Sequence, residues 1–145
     1  MLDIIVVTHG KMSDGIKDAV NTIVGMDEGI EAYNLLSGKE VSLLGNELYE
    51  RLIVSTQLNE VVILTDLVSA SPYNQSIIAL NQLPEDKKQK VRIIGGVNLP
   101  MVLEAFNHRL LGTDFLEAVK LIEQQGHSGI GMWQPVTDHD DEDDF

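Results

Sequence analysis

A histidine and an aspartate each stand at the end of a run of apolar residues. His9 follows the run at residues 2–8, and Asp66 ends the run at residues 60–66. A ring nitrogen of histidine can act as a nucleophile near neutral pH, while a carboxylate can fix the tautomer of the ring and offset its developing positive charge. If the two side chains meet, the pair could accept a phosphoryl group.

The positions of these two residues predict that they do meet. In doubly wound α/β sheets, reactive groups gather beyond the carboxyl ends of the strands, where the strand order reverses. In the flavodoxin-like order 2-1-3-4, the strands that end at His9 and Asp66 are neighbours at that point. N–H groups at the starts of the following helices could receive phosphate oxygens. The residues predicted to contact phosphate are Gly10, Lys11, Ser71 and Asn74.

The apolar pattern predicts strands that alternate with helices. Strands are expected at residues 2–8, 30–36, 60–66 and 90–95, and helices at residues 13–24, 40–54, 71–83, 100–111 and 113–125. Ser13 and Gly25 would cap the first helix, and Ser71 would cap the third. Such an order implies a single, mostly parallel sheet with helices on both faces. Residues 130–136 could add one short strand at its C-terminal edge.

Composition limits the class of protein. A chain of 145 residues with 43% hydrophobic content is typical of one domain, which we expect over residues 1–136. Six acidic residues among the last eight predict a disordered acidic tail over residues 137–145. The absence of cysteine excludes disulfides, thiolate catalysis and cysteine-ligated metal sites.

Charge and hydropathy limit the partners. A net charge of −13 argues against non-specific binding to nucleic acid, because the phosphates would be repelled. The first apolar run is too short for a membrane span or a signal core, so we expect no membrane insertion and a cytoplasmic location. No metal or cofactor is expected.

Motifs of other enzyme classes are missing from the sequence. It contains no G-x-G-x-x-G at the first helix, no P-loop and no G-x-S-x-G elbow. A hydrolase that uses Ser71, His9 and Asp66 stays open, although a serine before Pro72 fits a helix cap better.

The remaining histidines and large apolar residues favour structural roles. His108 is expected at the surface of a helix and His127 in a loop, whereas Met101 and Phe106 are expected in the core. The side chains of residues 132–133, a methionine and a tryptophan, could anchor a dimer or a partner, or pack over the sheet edge.

Three stretches of the chain resemble one known family. Residues 4–10 (IIVVTHG), 65–74 (TDLVSASPYN) and 96–101 (GVNLPM) are similar to the signatures of the mannose-type enzyme IIA domains of the bacterial phosphoenolpyruvate-dependent sugar phosphotransferase system. The resemblance covers roughly residues 1–125. It implies that the phosphocarrier HPr phosphorylates His9 on Nε2, that Asp66 hydrogen-bonds Nδ1, and that a separate enzyme IIB receives the group. It also implies a homodimer formed through a strand near the C-terminus, which would suit residues 130–136.

The chain departs from this family at one place in the motifs. The family usually has two glycines where this chain has Ser69 and Ala70. Some relatives also continue into a fused IIB domain. A regulatory module, or a phosphodonor module of the dihydroxyacetone-kinase type, is the alternative reading of the same fold, and residues 96–101 favour the sugar system over it.

Overall fold

Four strands, each followed by one or two helices, make up residues 1–137, the part of the chain that the computed structural model describes. The strands are β1 (Leu2–His9), β2 (Ile30–Leu35), β3 (Glu60–Thr65) and β4 (Val91–Gly95). The helices are α1 (Met12–Val24), α2 (Val41–Ser55), α3 (Ser71–Asn81), α4 (Glu85–Lys88), α5 (Leu99–Leu111) and α6 (Phe115–Ser128). The four strands predicted between residues 2 and 95 and the five predicted helices are present with ends shifted by a few residues, and the sequence pattern missed the short α4.

The strands form one parallel sheet in the order β2-β1-β3-β4. On β1, Val6 pairs with Ala32 of β2 on one side and with Leu64 of β3 on the other. The predicted fold class and strand order are therefore confirmed. The order reverses between β1 and β3, so the switch point lies at the carboxyl ends of these two central strands.

Alternate residues of β1 supply two separate cores. Ile4 and Val6 pack against α1, α5 and α6, while Ile5 and Val7 pack against α2 and α3. All four side chains are fully buried, as expected for a parallel strand that is covered on both faces. Burial of each such side chain stabilises the fold by about 1.5–3 kcal/mol, which anchors β1 and the residue at its end.

The structure corrects two predictions about the end of the chain. The last helix was predicted to end at residue 125, but α6 continues through Gly126 to Ser128. Gly126 packs against α5 so closely that a Cβ there would come 2.6 Å from Met101. Residues 130–137 have no regular secondary structure, so the predicted edge strand is wrong for the single chain. Their apolar side chains cover no face of the sheet and stay exposed, namely Ile130, Met132, Trp133 and Val136. The predicted disordered tail, apart from Thr137, lies outside the described residues.

Two histidine predictions are also wrong. His108 was expected at the surface, but its helical spacing from Ala105 places it on the buried face of α5, where it is 6% exposed. Its ring is held by Thr113 Oγ1 at 2.7 Å from Nδ1 and by Glu104 Oε1 at 2.8 Å from Nε2, which satisfies both nitrogens. His127 lies in the last turn of α6 rather than in a loop.

The predicted core residues Met101 and Phe106 are buried in the core beside α6, which confirms that expectation. None of the helices in residues 1–137 combines the length and apolar character that crossing a membrane requires.

Candidate functional site

A histidine–carboxylate pair occupies the carboxyl ends of β1 and β3. Asp66 Oδ2 lies 2.7 Å from Nδ1 of the His9 ring and accepts the backbone N–H of His9 at 2.9 Å. One carboxylate oxygen therefore fixes both the ring and the backbone of His9. The two residues are 57 positions apart in sequence, and the parallel pairing of β1 with β3 brings them together.

The protonation state of this pair follows from its contacts. Burial raises the pKa of Asp66, but the hydrogen bonds from the His9 backbone and ring and from the Leu67 N–H outweigh burial and hold that pKa below its usual value. Asp66 is therefore ionised at neutral pH and can only accept hydrogen bonds. The hydrogen of a neutral His9 ring then belongs on Nδ1, which leaves a lone pair on Nε2.

Solvent exposure differs between the two side chains. The His9 side chain is 46% exposed, whereas that of Asp66 is 11% exposed. The Asp66 carboxylate thus contacts the inner, Nδ1 edge of the His9 ring, and the rest of the ring is accessible to a partner.

A tight turn connects His9 to α1. Gly10 has a φ of +57°, a conformation that glycine adopts without strain, and its N–H donates to the Leu35 carbonyl at 2.8 Å. Ser13 does not cap α1, since the N-cap residue is Lys11, which makes no side-chain capping bond. Ser13 is instead fully buried, and its N–H donates to Thr8 Oγ1 at 2.8 Å. That N–H is already satisfied within the protein.

The loop after Asp66 has a strained backbone. Ser69 has a φ of +67°, in the left-handed region that favours glycine. The Asn74 side-chain Nδ2 donates to the Ser69 carbonyl at 3.0 Å and holds this conformation. Val68 packs so closely on Gly95 that a Cβ there would come 2.6 Å from it. A glycine would adopt this φ at position 69 without strain.

The four predicted phosphate contacts have different surroundings. The N–H of Gly10 is bonded to Leu35, and Asn74 uses its backbone N–H on the Ala70 carbonyl at 2.9 Å and its side chain on Ser69. Lys11 and Ser71 lie at the starts of α1 and α3, where the first N–H groups have no partner inside the helix. The contact of an anion with these four residues stays a prediction.

Two other predictions concern Ser71 and metal ions. Ser71 is the first residue of α3, whose N-cap is Ala70, so the expected serine cap is not formed. In the described part of the chain Ser71 makes no hydrogen bond to His9, which is the contact that a hydrolytic triad needs. Among residues 1–137, no three histidine, aspartate or glutamate side chains lie close enough together to hold a metal ion.

Asn34 lies beside this site and outside the residues that the sequence predicts for it. It is the residue of β2 that pairs with Thr8, and its side chain bonds to two residues of α1. A polar residue near the end of an edge strand is common, so the sequence carries no signal that separates Asn34 from a surface asparagine.

The fold and the site together define a doubly wound α/β protein with a carboxylate-oriented histidine at its switch point. Residues 3–123 match the family model of the PTS system fructose IIA component, EIIA-man, and the chain belongs to this family. It is an EIIA component of a sugar phosphotransferase system, whose members are phosphotransferase subunits.

Similar proteins support this assignment. The chain is 28% identical over 127 residues to the PTS system fructose-specific EIIA component of Bacillus subtilis, covering 86% of this chain and 84% of that protein. It is 25% identical over 127 residues to the mannose-specific EIIAB component of Escherichia coli K12, and the match spans 88% of this chain but 38% of that longer protein. The crystal structure of an EIIA component from Streptococcus agalactiae superposes with a TM-score of 0.76 at 27% identity, covering 91% of this chain and 97% of that one.

Proposed function

We propose that His9 accepts a phosphoryl group from the phosphocarrier HPr and passes it to a separate enzyme IIB for sugar uptake, in the cytoplasm and without a cofactor. The observation that carries this proposal is the 2.7 Å contact between Asp66 Oδ2 and His9 Nδ1, which leaves Nε2 as the nucleophile. The ionised carboxylate makes that assignment of the ring hydrogen the favourable one.

The phosphoryl group enters and leaves through Nε2, and each step breaks one bond to phosphorus and forms another. In the first step, the phosphorus–nitrogen bond of the donor breaks while the Nε2 lone pair forms a new bond to phosphorus. The His9 ring gains positive charge, and Asp66 offsets that charge through the Nδ1–H hydrogen bond. In the second step, the bond at Nε2 breaks as the phosphoryl group moves to enzyme IIB, and the lone pair returns to the ring.

The surroundings of His9 suit a protein donor and acceptor. Met12, Leu36, Leu67 and Val68 all belong to segments at the carboxyl end of the sheet, and their side chains are 43–61% exposed. Exposed apolar side chains grouped beside a polar site are typical of a surface that binds another protein.

Labelling with phosphate tests the proposal. Wild type, His9→Ala and the matched control His127→Ala would each be incubated with labelled phosphoenolpyruvate, enzyme I and HPr. His127 is a suitable control because its side chain is 80% exposed and lies on a different element. We expect acid-labile, base-stable label on wild type and His127→Ala and none on His9→Ala. Full labelling of His9→Ala, or an unlabelled wild type beside a labelled HPr, would contradict the proposal.

The acceptor needs a separate experiment. Labelled protein, freed of HPr, would be mixed with the enzyme IIB of a mannose-type system or with the subunits of a dihydroxyacetone kinase. We expect the label to move to enzyme IIB. Transfer to the kinase subunits alone would assign the chain to the alternative phosphodonor module.

We also propose that the chain forms a homodimer in which residues 130–136 are buried. Three apolar side chains of this segment are each at least 80% exposed in the single chain: Ile130, Met132 and Trp133. The segment begins near β4, one of the two edge strands, since Ile130 and Ile94 line the same surface cavity. Sedimentation of the full chain and of residues 1–129 would test this. We expect a dimer for the full chain and a monomer for the shorter one, while a monomeric full chain would exclude the dimer.

A further inference from the structure

A series of hydrogen bonds links the turn after His9 to the neighbouring strand β2. Thr8 Oγ1 accepts the N–H of Ser13 at 2.8 Å. The Ser13 hydroxyl contacts the Tyr33 carbonyl oxygen at 3.0 Å and also the side-chain oxygen of Asn34. The Nδ2 of Asn34 donates to Asp14 Oδ2 at 2.6 Å. These bonds join the end of β1, the first turn of α1 and the end of β2.

The side-chain amide of Asn34 suits this position because it carries both a hydrogen-bond acceptor and a donor. Its Oδ1 accepts a hydrogen bond from the Ser13 hydroxyl, while its Nδ2 donates to the Asp14 carboxylate. Aspartate would keep the acceptor but lose the donor, and alanine would lose both. An asparagine therefore bridges two consecutive residues of α1 in a way that neither replacement can.

The first turn of α1 has few other restraints. Lys11, its N-cap residue, makes no side-chain capping bond, and the turn before it contains Gly10 in a left-handed conformation. The N–H groups of this turn that remain free are placed at the carboxyl end of β1, where an anion on His9 would be received.

We propose that Asn34 is a positioning residue for phosphoryl transfer, which fixes the first turn of α1 against His9 by bridging Ser13 and Asp14. This inference rests on the proposed function of His9. Asn34 contacts neither the His9 ring nor Asp66, so it acts through the placement of α1.

An exchange of the two side chains tests this role. The variants are Asn34→Asp, Asp14→Asn and the double variant that carries both changes. Asn34→Asp places a carboxylate oxygen against the Asp14 carboxylate. In the double variant the amide at position 14 can donate to the carboxylate at position 34, so the hydrogen bond is restored in the opposite direction. Asn107→Asp is the matched control, because it adds the same charge at an exposed position on α5. The rate of His9 labelling would be measured over a range of HPr concentrations.

We expect Asn34→Asp to lower the rate at saturating HPr about tenfold and to leave the half-saturating HPr concentration unchanged, because the chemical step loses its alignment. The double variant should recover to within about threefold of wild type, as should Asn107→Asp. The exchange restores the hydrogen bond, so it would reverse a loss of stability as well as a loss of alignment, and the two must be separated by the unfolding measurement: positioning predicts a slow Asn34→Asp that is still folded at the assay temperature. Thermal unfolding of each variant would accompany the kinetics.

Several results would overturn the role of Asn34. They are a wild-type rate for Asn34→Asp, a double variant as slow as the single one, or a raised half-saturating concentration with an unchanged saturated rate. If Asn34→Asp does not fold, Asn34→Ala removes both bonds without adding charge, and a wild-type rate in that variant would be decisive against the proposal. An unlabelled wild type would instead reject the proposed function itself.

Discussion

The two ends of the sheet each hold a buried or half-buried aspartate, but their partners differ. Asp3, at the start of β1, is bound by Ser55, by Asn59 at 3.1 Å and by Arg109 at 3.2 Å, and Arg51 lies 3.9 Å away. These partners come from α2, the turn after it, and α5, so the carboxylate joins both helical layers to β1.

Asp66, beyond the end of β3, has a different set of partners. Its hydrogen bonds come from the backbone N–H groups of His9 and Leu67 and from one ring that is 46% exposed. Asp3 is held by buried or partly buried side chains, whereas Asp66 holds a ring that is 46% exposed. A carboxylate surrounded by structural partners stabilises the fold, while one that holds an accessible ring is placed for chemistry.

Removal of Asp3 should give the largest change in stability. Asp3→Ala leaves the mostly buried Arg109 without its carboxylate partner and removes the acceptor of Ser55 and Asn59, so we expect the free energy of unfolding to fall by about 3 kcal/mol. The labelling rate of the folded fraction should match wild type. Chemical denaturation and HPr-dependent labelling would measure both quantities. A variant that keeps its stability but loses labelling would reverse the roles assigned to the two ends.

Removal of Asp66 should give the opposite result. In Asp66→Ala, His9 loses the group that fixes its tautomer and offsets its charge, and we expect transfer to slow by about 10²-fold. The unfolding free energy should change much less than in Asp3→Ala. Asp66→Asn is the matched control, since it keeps the shape but not the charge. A wild-type rate in both variants would show that Asp66 is structural.

These contrasts also show what can be derived from sequence. The pairing of His9 with Asp66 was predictable because buried parallel strands appear as continuous apolar runs, and the residues at their ends share one edge. The burial of His108 was missed although its spacing from Ala105 places it on the buried face of α5, because a histidine is taken as a surface residue unless partners for its two ring nitrogens, here Glu104 and Thr113, are recognised.

The same limit explains the errors around α1 and at the C-terminus. Ser13 has the residue type of a cap, but its contacts with Thr8 and Asn34 form only when β1 and β2 pair. Residues 130–136 were predicted as a short edge strand, but the sequence does not indicate whether a single chain offers them a neighbouring strand. The role of Ser13 and the conformation of residues 130–136 depend on partners from segments distant in sequence, and the local sequence pattern does not reveal those partners.

A smaller effect is expected in the loop after Asp66, where a substitution should change stability but not the transfer rate. Ser69→Gly should raise the unfolding free energy by about 0.5–1 kcal/mol, because glycine adopts the observed φ of +67° without strain. The transfer rate should change little, since Asn74 still bonds to the carbonyl of residue 69. Chemical denaturation would measure the gain, with Ser37→Gly as a control at an exposed position. A destabilised Ser69→Gly would show that the serine hydroxyl supports the loop.

The smallest expected effect is a dependence of stability on pH. Because the pKa of Asp66 is lowered in the folded state, its carboxylate stabilises the fold above the unfolded pKa of about 3.9 and loses this effect as pH falls through the folded value. The difference in unfolding free energy between wild type and Asp66→Asn should be constant above about pH 5 and shrink below about pH 4. A difference that grows as pH falls would contradict the direction of the shift.

The most direct test of the account is to locate the phosphoryl group on the ring. Nitrogen-15 and phosphorus-31 NMR of the protein phosphorylated through HPr would distinguish the two nitrogens of His9. We expect phosphorus bonded to Nε2, with Nδ1 still carrying the hydrogen that it donates to Asp66. Phosphorus on Nδ1, or on any residue other than His9, would contradict it.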